Sequence, residues 1–211
     1  MKTLILSIAL LFTAFFGYAQ SANYINAIQH GIDLLDTVKT QQGYVTTTNY
    51  LQKVAAANEQ DWLAQYYSAY GNLIKGIRGK QDEETKDDIY NTALSYINKA
   101  NTLSPNNSEI YTLKPYIIFM KMSVYPQQRA MSMVPESNQL IEKAIALDKE
   151  NPRAYLIMGT SLYYLPELFG GSKEEAKKML TIAKLNFEKY VPKSLHPNWG
   201  KARVEELLKQ F

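Results

Sequence analysis

Apolar side chains recur every three to four positions along almost the whole chain after Ala22, and no convincing run of alternating strand-forming residues interrupts them. The pattern predicts an all-helical protein. Ile25, Ile28, Ile32 and Leu35 mark a first helix from about Asn23 to Lys39, which Gln41-Gln42-Gly43 should break. Thr46-Thr47-Thr48 favours a strand by propensity, but Tyr50, Leu51, Val54 and Ala55 share one helical face, so a second helix ending near Asn58 is expected. Trp62, Tyr66, Ala69, Leu73 and Ile77 carry a third, closed by Gly76 and Gly79 and followed by a charged linker from Lys80 to Lys86. A fourth helix is expected from about Asp87 to Leu103. A fifth runs from Ser108 to about Tyr125, with Pro115 early in it. Pro126 to Val134 reads as a loop, and Pro135 as a first helical residue of a sixth helix ending near Leu147. Asn151-Pro152 launches a seventh through Tyr164. Gly170-Gly171 breaks it, and Ser172 with Glu175 forms a capping box for the eighth. Pro192 stops that helix, and Pro197 opens the last of about nine, running to Phe211.

Superposed on this pattern is a longer period. Trp62, Tyr111, Tyr155 and Trp199 stand 49, 44 and 44 residues apart, each beside a similar helical pattern. Such a repeat implies stacked antiparallel helical hairpins, because each hairpin buries its apolar face only by leaning on the next. Ala93, Ile97, Ala100 and Pro105, and again Ala176, Leu180 and Ala183, resemble the second helix of a tetratricopeptide repeat. Tyr155, Met158, Gly159 and Leu162 fall at the family's first-helix positions, with substitutions at two of the four. The resemblance covers roughly residues 59 to 211. It departs from the family in repeat length, which is about 34 residues in a standard unit. It implies a tetratricopeptide-like α-solenoid. The segments Asp61 to Tyr67, Leu168 to Ser172 and His196 to Gly200 also resemble those of exported repeat proteins from the Bacteroidetes.

Residues 1–19 carry a short positive start, an apolar run from Leu4 to Phe16, and Gly17-Tyr18-Ala19 with small residues at both specificity positions of a leader-peptidase site. They are expected to be a signal peptide cleaved after Ala19. The 13-residue run would reach only about 20 Å as a helix, against roughly 30 Å for a hydrocarbon core, which argues against an anchor. Residues 20–211 would then form a single helical repeat domain in the periplasm or outside the cell, with no integral membrane segment. There is no cysteine, hence no disulfide, thiol nucleophile or lipid-attachment site. The formal charge of +3 is spread over 23 basic and 20 acidic residues without a basic cluster, so nucleic acid is not an expected partner.

No catalytic constellation is recognisable. Gly170-Gly171-Ser172-Lys173 lacks the spacing and the preceding strand of a phosphate loop and reads as a hairpin turn. His30 and His196 lie far apart without neighbouring ligands at helical spacing, so no metal site and no cofactor are implied. Glu83-Glu84 and Asp87-Asp88 read as a solvated helix start rather than an acid pair. The chain therefore reads as a binding protein and not an enzyme.

Sixteen tyrosines are the remaining unusual feature. In tetratricopeptide folds the concave wall is lined by first-helix residues one, five, eight and nine places after the opening aromatic. The resemblance then implies a wall of Leu63, Tyr67, Tyr70 and Gly71, of Thr112, Tyr116, Phe119 and Met120, and of Leu156, Thr160, Tyr163 and Tyr164, joined by Arg153. Tyr67, Tyr70, Tyr116, Phe119, Arg153, Tyr163 and Tyr164 are the candidate ligand-binding residues, suited to a peptide, a glycan or a partner protein. The competing expectation is that these rings fill the hairpin core. A second functional reading is a structural or assembly subunit of an envelope or secretion complex, docking through the apolar segments Tyr125 to Val134 and Leu165 to Phe169.

Overall fold

The computed structural model describes residues 22–211. The expected leader at 1–19 lies outside the described residues. Nine α-helices and no strand are found among them. They are α1 (22–37), α2 (Gln41–Ala57), α3 (Trp62–Arg78), α4 (Glu83–Leu103), α5 (Ser108–Met122), α6 (Pro126–Leu147), α7 (Pro152–Tyr164), α8 (Lys173–Lys189) and α9 (Lys201–Leu208). A 3₁₀ turn at Glu167–Phe169 lies between α7 and α8. None of these helices is long and apolar enough to cross a membrane.

Short polar side chains begin most of the helices. The Asp61 carboxylate accepts from the amides of Leu63 and Ala64 at 2.8 and 3.2 Å, and Asn151 Oδ1 accepts from the Arg153 amide at 3.0 Å. Ser172 Oγ accepts from the Glu175 amide at 3.2 Å, as the turn reading of that segment expects. Each such cap is worth about 1 kcal/mol. Thr40 does the same for the Gly43 amide, which is why Gln41-Gln42-Gly43 opens α2 instead of separating two helices.

Two further boundaries differ from the sequence expectation. The stretch Glu83 to Lys86 belongs to α4, with Asp82 as its cap and Glu83 and Glu84 in its positive first turn. Residues 126–134 are helical, the first half of α6, and Pro135 lies inside that helix. Ala130, Val134, Ser137, Ile141 and Ala144 form one buried stripe straight across the proline. Pro135 and Met131, whose carbonyl loses its amide partner, lie on the exposed face, where water can replace the bond.

Contacts are densest within the hairpins α3–α4, α5–α6 and α7–α8. Across hairpins, α3 packs on α5 and α5 on α7, whereas α4, α6 and α8 do not pack on one another to that degree. The stack therefore closes on the side of the first helices. Ala93, Ala144, Ala176 and Ala183 are fully buried, as small residues at close helix seams should be. Gly159 shows how close the α7–α8 seam is: a Cβ there would stand 2.7 Å from Leu180 Cγ and 3.2 Å from the Ala176 carbonyl oxygen.

The chain does not end as a further hairpin. Between α8 and α9 residues 190–200 leave the helical path and cross the first helices. The Tyr67 hydroxyl donates to the Leu195 carbonyl at 2.8 Å, and the Trp199 indole donates to the Tyr66 hydroxyl at 3.0 Å. Trp199 thus stands before α9, not within a helix as its place in the aromatic ladder implied. One buried cluster runs from α1 to α5 and another from α6 to α9, and Tyr116 and Trp199 pack against both.

Candidate functional site

The returning segment gives the inner side of the stack a floor. Trp199 stacks on Tyr70 with ring centroids 5.1 Å apart and planes 16° from parallel, and the Tyr116 ring lies 6.3 Å away. Gly200, at φ 111°, lets the chain turn here: a Cβ would approach Leu156 Cδ2 and Phe187 Cζ to 2.9 Å.

Above this floor is a cavity of about 800 Å³. It lies in the upper part of the roughly 300–1,000 Å³ typical of small-molecule pockets. α3 contributes Tyr70, Ile74, Ile77 and Arg78; α5 contributes Tyr116, Phe119 and Met120; α7 contributes Leu156, Ile157, Thr160 and Tyr164. Pro126, Gln127 and Ala130 of α6 and Leu165, Pro166 and Phe169 beyond α7 close one end, and Trp199 and Arg203 close another. Carbon dominates the walls. Arg78 and Arg203 are the only charged residues among the described lining.

Four of the seven candidate residues, Tyr70, Tyr116, Phe119 and Tyr164, line this cavity. Tyr67 does not: it is 2% exposed and held by the Leu195 carbonyl. Arg153 is 0% exposed. Its Nε and Nη2 donate to the two carboxylate oxygens of Glu109 at 2.7 and 2.5 Å, and its guanidinium carbon lies 4.4 Å from the Tyr190 ring centre and 5.9 Å from that of Trp199. Tyr163 sits outside the lining, edge-on to Tyr164 and Phe211, with the Lys173 ammonium 5.5 Å from its ring centre. Among the other concave-wall positions, Met120, Leu156 and Thr160 line the cavity.

Sequence reasoning did not anticipate Trp199, Arg78 and Arg203 as wall residues. Trp199 was visible as a rung of the ladder, and the glycine after it was a signal that helix does not continue through it.

Burial sets the protonation of the floor. It raises the Tyr70 phenol far above its ordinary value. It also raises Tyr116, against the opposing charges of Arg203 and Arg78. Both are neutral phenols at physiological pH. For Arg153, burial works against the charge, but the hydrogen bond and charge of Glu109 outweigh it and the guanidinium stays protonated.

A second, partly buried charge cluster lies outside the cavity lining. Lys121 Nζ donates to Asp87 Oδ1 and Oδ2 at 3.0 and 2.9 Å and to Asn91 Oδ1 at 2.6 Å, and Arg129 also pairs with Asp87. Burial alone would raise the Asp87 carboxyl, but Arg129 and Lys121 hold it below the usual carboxylate range. The cluster ties α4, α5 and α6 together. The two segments considered as docking loops, Tyr125 to Val134 and Leu165 to Phe169, wall the cavity on their inner sides and leave Met131 and Leu168 outside at 79% and 87% exposure.

No group of three or more His, Cys, Asp or Glu side chains suited to a metal ion occurs among the described residues. His30 lies edge-on to Tyr50 and His196 edge-on to Trp62, and neither lines the cavity.

No protein-family model matches the chain, and no curated protein matches it. Among solved structures it is similar to the HusA haemophore from Porphyromonas gingivalis, a member of the Bacteroidetes, with a TM-score of 0.77 and 28% identity over 89% of this chain and 92% of that one. This chain thus shares its all-helical fold, over nearly its full described length, with a Bacteroidetes protein that binds an external molecule and is not named as an enzyme.

Proposed function

We propose that this protein is an exported carrier of haem or a related porphyrin, held in the cavity above Trp199. The observation that carries the reading is an apolar chamber of about 800 Å³ floored by stacked aromatic rings, in a fold similar to a haemophore. A flat macrocycle gains most by laying one face on such a floor, because ring stacking adds to the area it removes from water. Tyr70, Tyr116 and Trp199 offer that floor, and Ile74, Phe119, Met120, Leu156 and Ile157 exclude water around it.

The donor set fits a porphyrin held by its ring rather than through its iron. Histidine is absent from the described lining, and the available axial donors are the Met120 and Met122 thioethers and the phenols of Tyr70, Tyr116 and Tyr164. Burial disfavours the phenolate form of Tyr70 and Tyr116.

A peptide or glycan is less well served. An extended peptide needs an open groove, and residues 190–200 fill the one that the first helices would form. A glycan needs many polar partners, and the lining is mostly carbon. The hairpins are, on this reading, degenerate tetratricopeptide-like units, and the leader delivers the chain across the inner membrane.

Titrating residues 20–211 with haem should quench tryptophan fluorescence saturably, since Trp62 and Trp199 are the only tryptophans. Trp62→Phe should preserve the quenching. Trp199→Ala should weaken binding by about tenfold or more, the scale of a lost stacking platform, while Trp199→Phe retains most of the affinity. A linear, non-saturating response would sink the reading.

A further inference from the structure

We propose that Arg78 and Arg203 are the specificity-determining residues of this cavity, reading two carboxylates carried on one edge of a flat ligand, and that Glu206 holds Arg203 in place until such a carboxylate arrives. The inference rests on the porphyrin reading and adds what part of the ligand is recognised.

Arg203 is fixed from two sides. Its Nη2 donates to the Tyr164 hydroxyl at 3.0 Å, and its Nη1 to Glu206 Oε2 at 2.8 Å. Arg78, at the end of α3, is exposed and has no carboxylate within 4.0 Å among the described residues. Both cations line the same cavity as Tyr116, and both hold the Glu206 carboxyl below its ordinary value, Arg203 more than Arg78. Cations beside carbon walls gain nothing from a neutral apolar ligand that covers them and lose water to it. A carboxylate reverses that balance, because a guanidinium accommodates it through paired, charge-assisted hydrogen bonds. Two such groups on one edge of a ring would meet Arg78 directly and would meet Arg203 in competition with Glu206.

The test compares protoporphyrin IX with its dimethyl ester, which has the same ring and no ionisable edge, by fluorescence titration of the folded chain. The acid should bind about tenfold or more tightly than the ester. The gap should close in the Arg78→Gln, Arg203→Gln double variant through weaker binding of the acid, with circular dichroism checking that the variant is folded. Glu206→Gln should tighten binding of the acid. Equal affinity for acid and ester in the unaltered protein, or a gap that persists in the double variant, would overturn the carboxylate reading and leave the porphyrin reading standing. Failure of both ligands to bind would remove both.

Discussion

Arg153 shows why side-chain chemistry alone does not identify a ligand contact. A guanidinium two places before a repeat aromatic is what a carboxylate-binding wall would use, yet here Glu109 supplies the carboxylate from the neighbouring hairpin. The pair is shut away, with Tyr190 and Trp199 over the guanidinium, so its role is to fix the returning segment against α5 and α7. An ion pair this deep contributes little net stability compared with an apolar pair, but breaking it leaves an uncompensated charge. Glu109→Gln should therefore cost roughly 3–5 kcal/mol in chemical denaturation. A loss below about 1 kcal/mol, the worth of a surface pair, would show that Arg153 finds another partner or water. Tyr70 and Tyr116 were recognisable as wall residues because their placement depends only on helical spacing within α3 and α5. Tyr67 has the same spacing and Arg153 stands two places before its repeat aromatic, but residues far along the chain cover both: Leu195, 128 places on, for Tyr67, and Tyr190 and Trp199, 37 and 46 places on, for Arg153. No local pattern encodes that.

Among the elements, those with a polar cap and a clean apolar stripe were legible from sequence: α7 begins at Asn151-Pro152 and α8 at Ser172 as their residues dictate. α6 was not, because Pro126 and Pro135 both have the character of a first helical residue, and only the buried stripe on both sides of Pro135 decides between them. The start of α9 was hidden for the opposite reason. Pro197 offers a helix start that the chain does not use, since Trp199 is drawn onto Tyr70 and the helix begins only after Gly200. The α7–α8 seam gives a test in which two effects have opposite signs. Alanine is favoured over glycine in a helix by about 1 kcal/mol. At Gly159, however, the added methyl meets Leu180 and the backbone of Ala176, and such overpacking costs about 1–3 kcal/mol. Gly159→Ala should lower the thermal midpoint, and a raised midpoint would mean that the hairpin opens without penalty.

At the scale of the whole molecule, residues 190–200 join the two buried clusters, so that helices far apart in sequence share one floor. His196 lies in this clasp against the Trp62 ring. Burial, aided by the Lys193 charge, lowers its pKa below the ordinary histidine value of about 6.5. A histidine whose folded pKa is depressed favours the folded state fully above its unfolded pKa, and that contribution is lost as pH falls from there through the folded pKa. Stability should therefore decline below about pH 6.5, and His196→Gln should flatten that part of the profile in urea titrations across pH 5 to 8. An unchanged slope in the variant would assign the acid sensitivity to other groups. The order of synthesis adds a temporal consequence. Trp199, Gly200 and Arg203 follow every other lining residue in the chain, so a polypeptide still emerging from a ribosome or a translocation channel has walls without a platform. The cavity is complete only once residue 203 has emerged, so a ligand that rests on the Trp199 floor can be held only by the finished chain.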